Sequence, residues 1–181
     1  MNDQIRADNL SGMPSEIEMK MEIFTPFHRI TGTVIASSRR TNGVLNSIGE
    51  YLMLEQVSTT NLGRPFDSPI ESRVVRINKS SIVLAVPNEE VERERITHRS
   101  RLTGYMLQRR VLIGLGNFEV SGNLHLEQEL EIASVLLQRQ ELFIGITDAS
   151  INYLLNTSLK ITASAVLINK SYNSFICAGA P

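Results

Sequence analysis

The sequence predicts a mainly β chain, a β-rich α+β protein built from two tandem copies of one small unit. Each unit is expected to be barrel-like, with roughly five strands and one short helix. Three observations carry the expectation: a long internal match, alternating apolar residues within it, and a glycine in the middle of each second strand.

The match sets Glu22 to Val86 beside Leu112 to Ala178. Ile30-Thr31-Gly32-Thr33-Val34 falls on Val120-Ser121-Gly122-Asn123-Leu124, and Val44-Leu45 falls on Val135-Leu136. Glu50-Tyr51-Leu52-Met53 is set against Glu141-Leu142-Phe143-Ile144. The closest correspondence joins Val75-Arg76-Ile77-Asn78-Lys79-Ser80 to Val166-Leu167-Ile168-Asn169-Lys170-Ser171. Landmark spacing is kept along with residue type, which is the mark of a duplication.

Both copies have the same local pattern. A first strand is expected over Met19 to Phe27 and Met106 to Leu115, where Ile, Val and Phe dominate. The second, Arg29 to Ala36 and Phe118 to Leu126, alternates around Gly32 and Gly122. A glycine inside a strand marks a bend, a bulge or a close backbone approach. Helical spacing follows at Thr41 to Ile48 and at Glu131 to Arg139, with Ile132, Val135 and Leu136 on one face. A third strand covers Tyr51 to Thr59 and Leu142 to Ile151. A fourth covers Arg73 to Ile77 and Ala163 to Ile168, and a fifth covers Ile82 to Val86 and Phe175 to Ala178. Between the last two, Asn78-Lys79 and Asn169-Lys170 are expected to form hairpin turns, since Asn tolerates positive φ.

The chain is thereby divided into a polar tail (1–15), a first repeat (16–87), a charged linker (88–104) and a second repeat (105–181). The linker mixes charge signs at helix-compatible spacing, and its end collects Arg95, Arg99, Arg101, Arg109 and Arg110 into the best basic patch available.

Composition narrows the function classes. Hydrophobic residues form 42% and charged residues 20% of the 181, as in a globular chain with a core. A formal net charge of -1 runs against a dedicated nucleic-acid binder. Cys177 is the single cysteine and is expected to be a small buried hydrophobe. With His28, His98 and His125 scattered, no zinc site and no cofactor are expected. No signal-peptide stretch and no membrane-spanning apolar run stand out, so a cytoplasmic setting without membrane contact is the expectation.

The strand order, Gly32, Gly122, Tyr51-Leu52-Met53-Leu54 and Ile77-Asn78-Lys79-Ser80-Ser81-Ile82 together resemble the Sm-like small-barrel family. The resemblance implies a five-stranded barrel and contacts with RNA. Two departures are plain: Asn-Lys stands where that family has Arg-Gly, and a helical insertion separates the second and third strands. The Asp and Asn that face RNA bases in the family have no clear counterpart. The opening Thr25-Pro26-Phe27-His28-Arg29-Ile30-Thr31-Gly32 is also similar to that of bacterial two-repeat proteins of uncharacterised activity.

Catalytic motifs do not emerge. Gly114-Leu115-Gly116 lacks the third glycine of a dinucleotide fingerprint, and neither a phosphate-binding loop nor a nucleophile elbow occurs. His28 reads as a turn or surface histidine. The favoured expectation is a non-catalytic assembly or regulatory module that self-associates or binds a protein partner through strand edges. A second is RNA or single-stranded nucleic-acid binding. Lys79 and Lys170 would project from equivalent turns, and Arg73, Arg76, Arg99, Arg101, Arg109 and Arg110 would add phosphate contacts. Tyr51, Phe143 or Tyr172 would then stack on bases. A third is small-ligand sensing at a cleft between the repeats.

Overall fold

The computed structural model describes residues 17–36, 41–88, 107–126 and 140–178. The expected tail, nearly all of the linker, Arg99, Arg101 and the second helical segment lie outside the described residues. The fold is mainly β. The first half runs β1 (Ile17–Phe24), β2 (His28–Ala36), α1 (Thr41–Leu45), β3 (Tyr51–Asn61), β4 (Ile70–Asn78) and β5 (Leu84–Pro87). The second runs β6 (Leu107–Leu115), β7 (Phe118–Leu126), β8 (Phe143–Tyr153), β9 (Lys160–Asn169) and β10 (Asn173–Ala178).

The ten strands among the described residues form one sheet in the order β10-β6-β7-β8-β9-β5-β1-β2-β3-β4. Every neighbouring pair is antiparallel. Within each half the fifth strand lies beside the first, and β4 and β9 end the half on its other side. Among the described residues neither half closes on itself by strand pairing. The halves instead meet where β5 pairs with β9, Leu84 opposite Ile168 and Ala85 opposite Leu167.

Successive side chains on a strand point to opposite faces. At the joint this places the two cores on opposite sides of the sheet. Leu84, Val86, Val166 and Ile168 enter one cluster with Phe118, Leu124 and Tyr153. Ala85 and Leu167 enter the other with Met21, Leu54 and Phe143. Both strands are therefore apolar on both faces at this point, as strands buried on two sides must be. Each of these large side chains stabilises the fold by about 1.5–3 kcal/mol relative to exposure.

The central glycines act through close approach. In both halves the third strand bulges against the second, fitting one extra residue opposite the step from Thr31 to Thr33 and from Ser121 to Asn123. A Cβ on Gly32 would sit 3.1 Å from the Glu55 carbonyl oxygen. On Gly122 it would sit 2.8 Å from the Thr147 carbonyl oxygen and closer still to Ile146. In each bulge a non-glycine residue adopts positive φ, Gln56 at 51° and Asp148 at 49°. The chain spends strain at the same place twice.

Three sequence expectations need correction. The Asn-Lys turns are not hairpins. Asn78 and Asn169 have φ of -70° and -82°, and each side chain accepts a hydrogen bond from the N–H two residues on, opening a 3₁₀ turn (Lys79–Ser81; Lys170–Tyr172). That turn carries the chain from one side of the half to the other, so β4 is not paired with β5, nor β9 with β10. The third strands align one residue differently from the sequence match: Tyr51 faces Asn78 as Phe143 faces Asn169, making Phe143 the counterpart of Tyr51. Helix α1 ends at Leu45, three residues before Ile48.

Candidate functional site

Among the described residues, the basic side chains singled out in the sequence do not form one surface cluster. Lys79 points inward and is 5% exposed. Its ammonium donates to the Val44 carbonyl (3.3 Å), the Ser47 carbonyl (2.9 Å) and Ser47 Oγ (3.0 Å). The charge thus closes the C-terminal end of α1, where carbonyls lack helical donors. Burial lowers the Lys79 pKa from its ordinary value. The side chain therefore does not project from its turn. Lys170, half-buried, is also engaged in an interaction of its own.

Arg73 and Arg76 are exposed on β4, at one end of the sheet. Arg76 lies 3.7 Å over the ring of Tyr51, a cation–π contact that covers part of the aromatic face. Arg109 and Arg110 are on β6, with seven strands between them and β4 in the sheet order. Arg110 reaches the Asp148 carbonyl at 3.3 Å, on the strained residue of the second bulge. Of the aromatics, Tyr51 is exposed, while Phe143 is buried in the core and Tyr172 donates to the Ser80 carbonyl at 3.0 Å. His28 is exposed at the β1–β2 turn, its backbone N–H bonded to Thr25 Oγ1 at 3.0 Å.

The site that the fold does assemble is the joint between the halves and its two unpaired relatives. At the joint, Asn169 is fully buried. Its backbone N–H donates to the Val83 carbonyl (2.9 Å) and its Nδ2 to the Ile82 carbonyl (2.8 Å), while Oδ1 accepts from Ser171 N (2.9 Å). Asn46 adds a two-way bridge to Phe143, giving Nδ2 to its carbonyl and taking its N–H, each at 2.9 Å. Tyr153 Oη and Asn117 Nδ2 both donate to the Pro26 carbonyl, at 3.2 and 3.3 Å. Phe24 and Phe118 meet edge to face with centroids 5.9 Å apart.

At the two ends of the sheet, β4 and β10 have one neighbour each among the described residues. Asn78 keeps the turn-opening bond of Asn169, its Oδ1 accepting from Ser80 N at 3.0 Å, but it is exposed. Tyr51 is 44% and Phe175 42% exposed, although their counterparts at the joint, Phe143 and Leu84, are fully buried. The Phe175 ring lies over Gly114, whose Cβ would collide with it. Ile70, Val74 and Met53 add further exposed apolar surface beside β4. Cys177 is exposed, against the expectation of burial, whereas its counterpart Val86 is buried in the core cluster of the joint.

An open groove of about 500 Å³ runs along the joint between β1, β2 and β9. Lys20, Glu22, Thr31, Gln56 and Thr162 line it, and the Glu22 carboxylate is already held by Arg29 at 2.7 and 3.0 Å. Among the described residues no group of three or more His, Cys, Asp or Glu is placed to hold a metal ion. None of the described helices is long and apolar enough to cross a membrane.

Sequence reasoning singled out Asn78 and Asn169 as turn residues and missed the role of Asn169 in joining the halves. The signal was present in the residues before it, since Val166-Leu167-Ile168 is apolar throughout where Val75-Arg76-Ile77 is not. Comparisons with protein-family models, curated proteins and solved structures return no match.

Proposed function

We propose that the protein is a non-catalytic assembly module, a tandem duplication of one β-rich unit that works by pairing its open strand edges with another chain. One observation carries the reading: among the described residues the sheet ends in two antiparallel-ready strands, β4 and β10, each flanked by exposed apolar side chains. Unpaired strand edges of this kind are templates for pairing, and proteins that do not use them blunt or cover them. The matched pairings, bulges and Asn turns of the two halves support the duplication. The glycine and turn motifs support kinship with Sm-like units, and a cytoplasmic setting belongs to the same proposal.

The test is the mass of the purified protein in solution, before and after nuclease, with absorbance at 260 and 280 nm recorded together. A nuclease-resistant mass above 20.2 kDa with a protein-like absorbance ratio is the expected result. A nuclease-sensitive complex rich in nucleic acid would transfer the function to the arginines of β4 and β6. A monomer at every concentration would remove self-association.

A further inference from the structure

Resting on the assembly reading, the joint inside the chain supplies a template for a joint between chains. We infer that β10 of one copy pairs with β4 of the next, head to tail, in the register that already unites β5 with β9. The correspondence is set by the pairings themselves. Leu84 lies opposite Phe24 as Phe175 lies opposite Gly114, so β10 is the counterpart of β5. Ile77 lies opposite Leu52 as Ile168 lies opposite Ile144, so β4 is the counterpart of β9. In the chain the fifth strand of the first half takes the fourth strand of the second. What remains unpaired among the described residues is a fourth strand and a fifth strand, the same two kinds of edge.

Carrying the register over places Phe175 opposite Ile77 and Ile176 opposite Arg76 of the neighbouring copy. The backbone N–H of Asn78 then meets the Ser174 carbonyl, and its Nδ2 meets the Asn173 carbonyl, as Asn169 meets Val83 and Ile82. Asn78 already holds the side-chain geometry for this, since its Oδ1 makes the same turn bond as that of Asn169. Tyr51 and Phe175 gain the cover that Phe143 and Leu84 have. The pairing is heterologous, so repeating it closes a ring or extends a fibre according to the rotation at each step.

The outer joint is more polar than the inner one. Asn173 and Ser174 stand where Ile82 and Val83 do, Arg76 stands for Leu167, and Gly114 with His28 replaces the Phe24–Phe118 pair. The contact is therefore reversible, unlike the permanent one within the chain.

The inference is tested with Arg76→Pro and Ile176→Pro. Both positions turn their N–H away from the strand's existing neighbour, as the pairing of Leu167 with Ala85 shows, so proline removes only the outward donor. Sedimentation velocity over a range of concentrations should show each variant monomeric and the equimolar mixture forming dimers only, through the one intact pair of edges. Circular dichroism confirms the fold, and Asn78→Ala, which leaves the backbone untouched, should raise the half-association concentration about fivefold. A single proline variant that still dimerises by itself, or a mixture that does not, would overturn head-to-tail pairing while leaving self-association standing. A monomeric wild-type chain would overturn both.

Discussion

Replacing the two counterpart asparagines by alanine separates what a turn contributes from what the joint contributes. Asn78 and Asn169 open the same 3₁₀ turn with the same side-chain bond, at 3.0 and 2.9 Å. Asn78→Ala removes that bond from an exposed site, where losing such a cap costs about 1 kcal/mol. Asn169→Ala removes it from a fully buried site, together with the 2.8 Å bond to the Ile82 carbonyl on the other half. Beyond the cap, the loss is then that of a buried acceptor deprived of its donor, about 1–3 kcal/mol. The expected loss for Asn169→Ala is about 3 kcal/mol against about 1 for Asn78→Ala. With a urea slope of about 2 kcal/mol/M, the midpoints of the two variants differ by about 1 M. The measurement belongs at low protein concentration, where copies are apart and Asn78 has no crossing bond to lose. Equal destabilisation by the two substitutions would refute the placement of Asn169 in the joint.

Other outcomes follow from single sites. Gly122→Ala should cost about 2–3 kcal/mol and Gly32→Ala about 1, because the added methyl meets Ile146 and the Thr147 carbonyl in the first case and 3.1–3.2 Å neighbours in the second. Thermal melting of the pair checks the order. Burial depresses the Lys79 pKa below its ordinary 10.5, so the unfolded chain binds that proton more tightly and the cost of burying the charge is fully present below the folded pKa. Stability should rise as pH climbs toward about 10.5, and Lys79→Met should abolish that part of the rise in urea titrations across the range. Cys177, exposed on β10, should react with a maleimide more slowly in concentrated wild-type protein than in Ile176→Pro, since pairing of β10 would cover it.

How far the sequence carried can be seen at particular residues. Gly32 and Gly122 were legible because alternation on both sides left close approach or a bulge as the reason for a glycine, and both occur. Strand positions were legible from the same alternation. The order of the sheet was not: β5 pairs with β9 across more than seventy residues of chain, and no local pattern records a partner. The Asn-Lys turns were misread because Asn serves two devices, positive φ in a hairpin and an Asx-type cap on extended backbone, and only coordinates separate them. Lys79 was misread because a lysine in a polar turn is usually solvated. Its inward course depends on the end of α1, over thirty residues earlier, offering three oxygens. Cys177 was expected inside from residue type, whereas it is exposed, on a strand at the end of the sheet among the described residues.

The claim that the strand edges are the working surface is tested most directly by amide hydrogen exchange at Arg76, Asn78 and Ile176, whose N–H groups face away from the chain's own ladder. The N–H groups of Lys79 and Lys170, bonded within the chain to Glu50 and Leu142 at 2.7 and 3.0 Å, serve as internal references. Protection of the three outward amides in concentrated solution that disappears on dilution, with the references unchanged, is the expected result. Exchange of those amides at the open rate at every concentration would contradict the account, whatever the mass of the protein in solution.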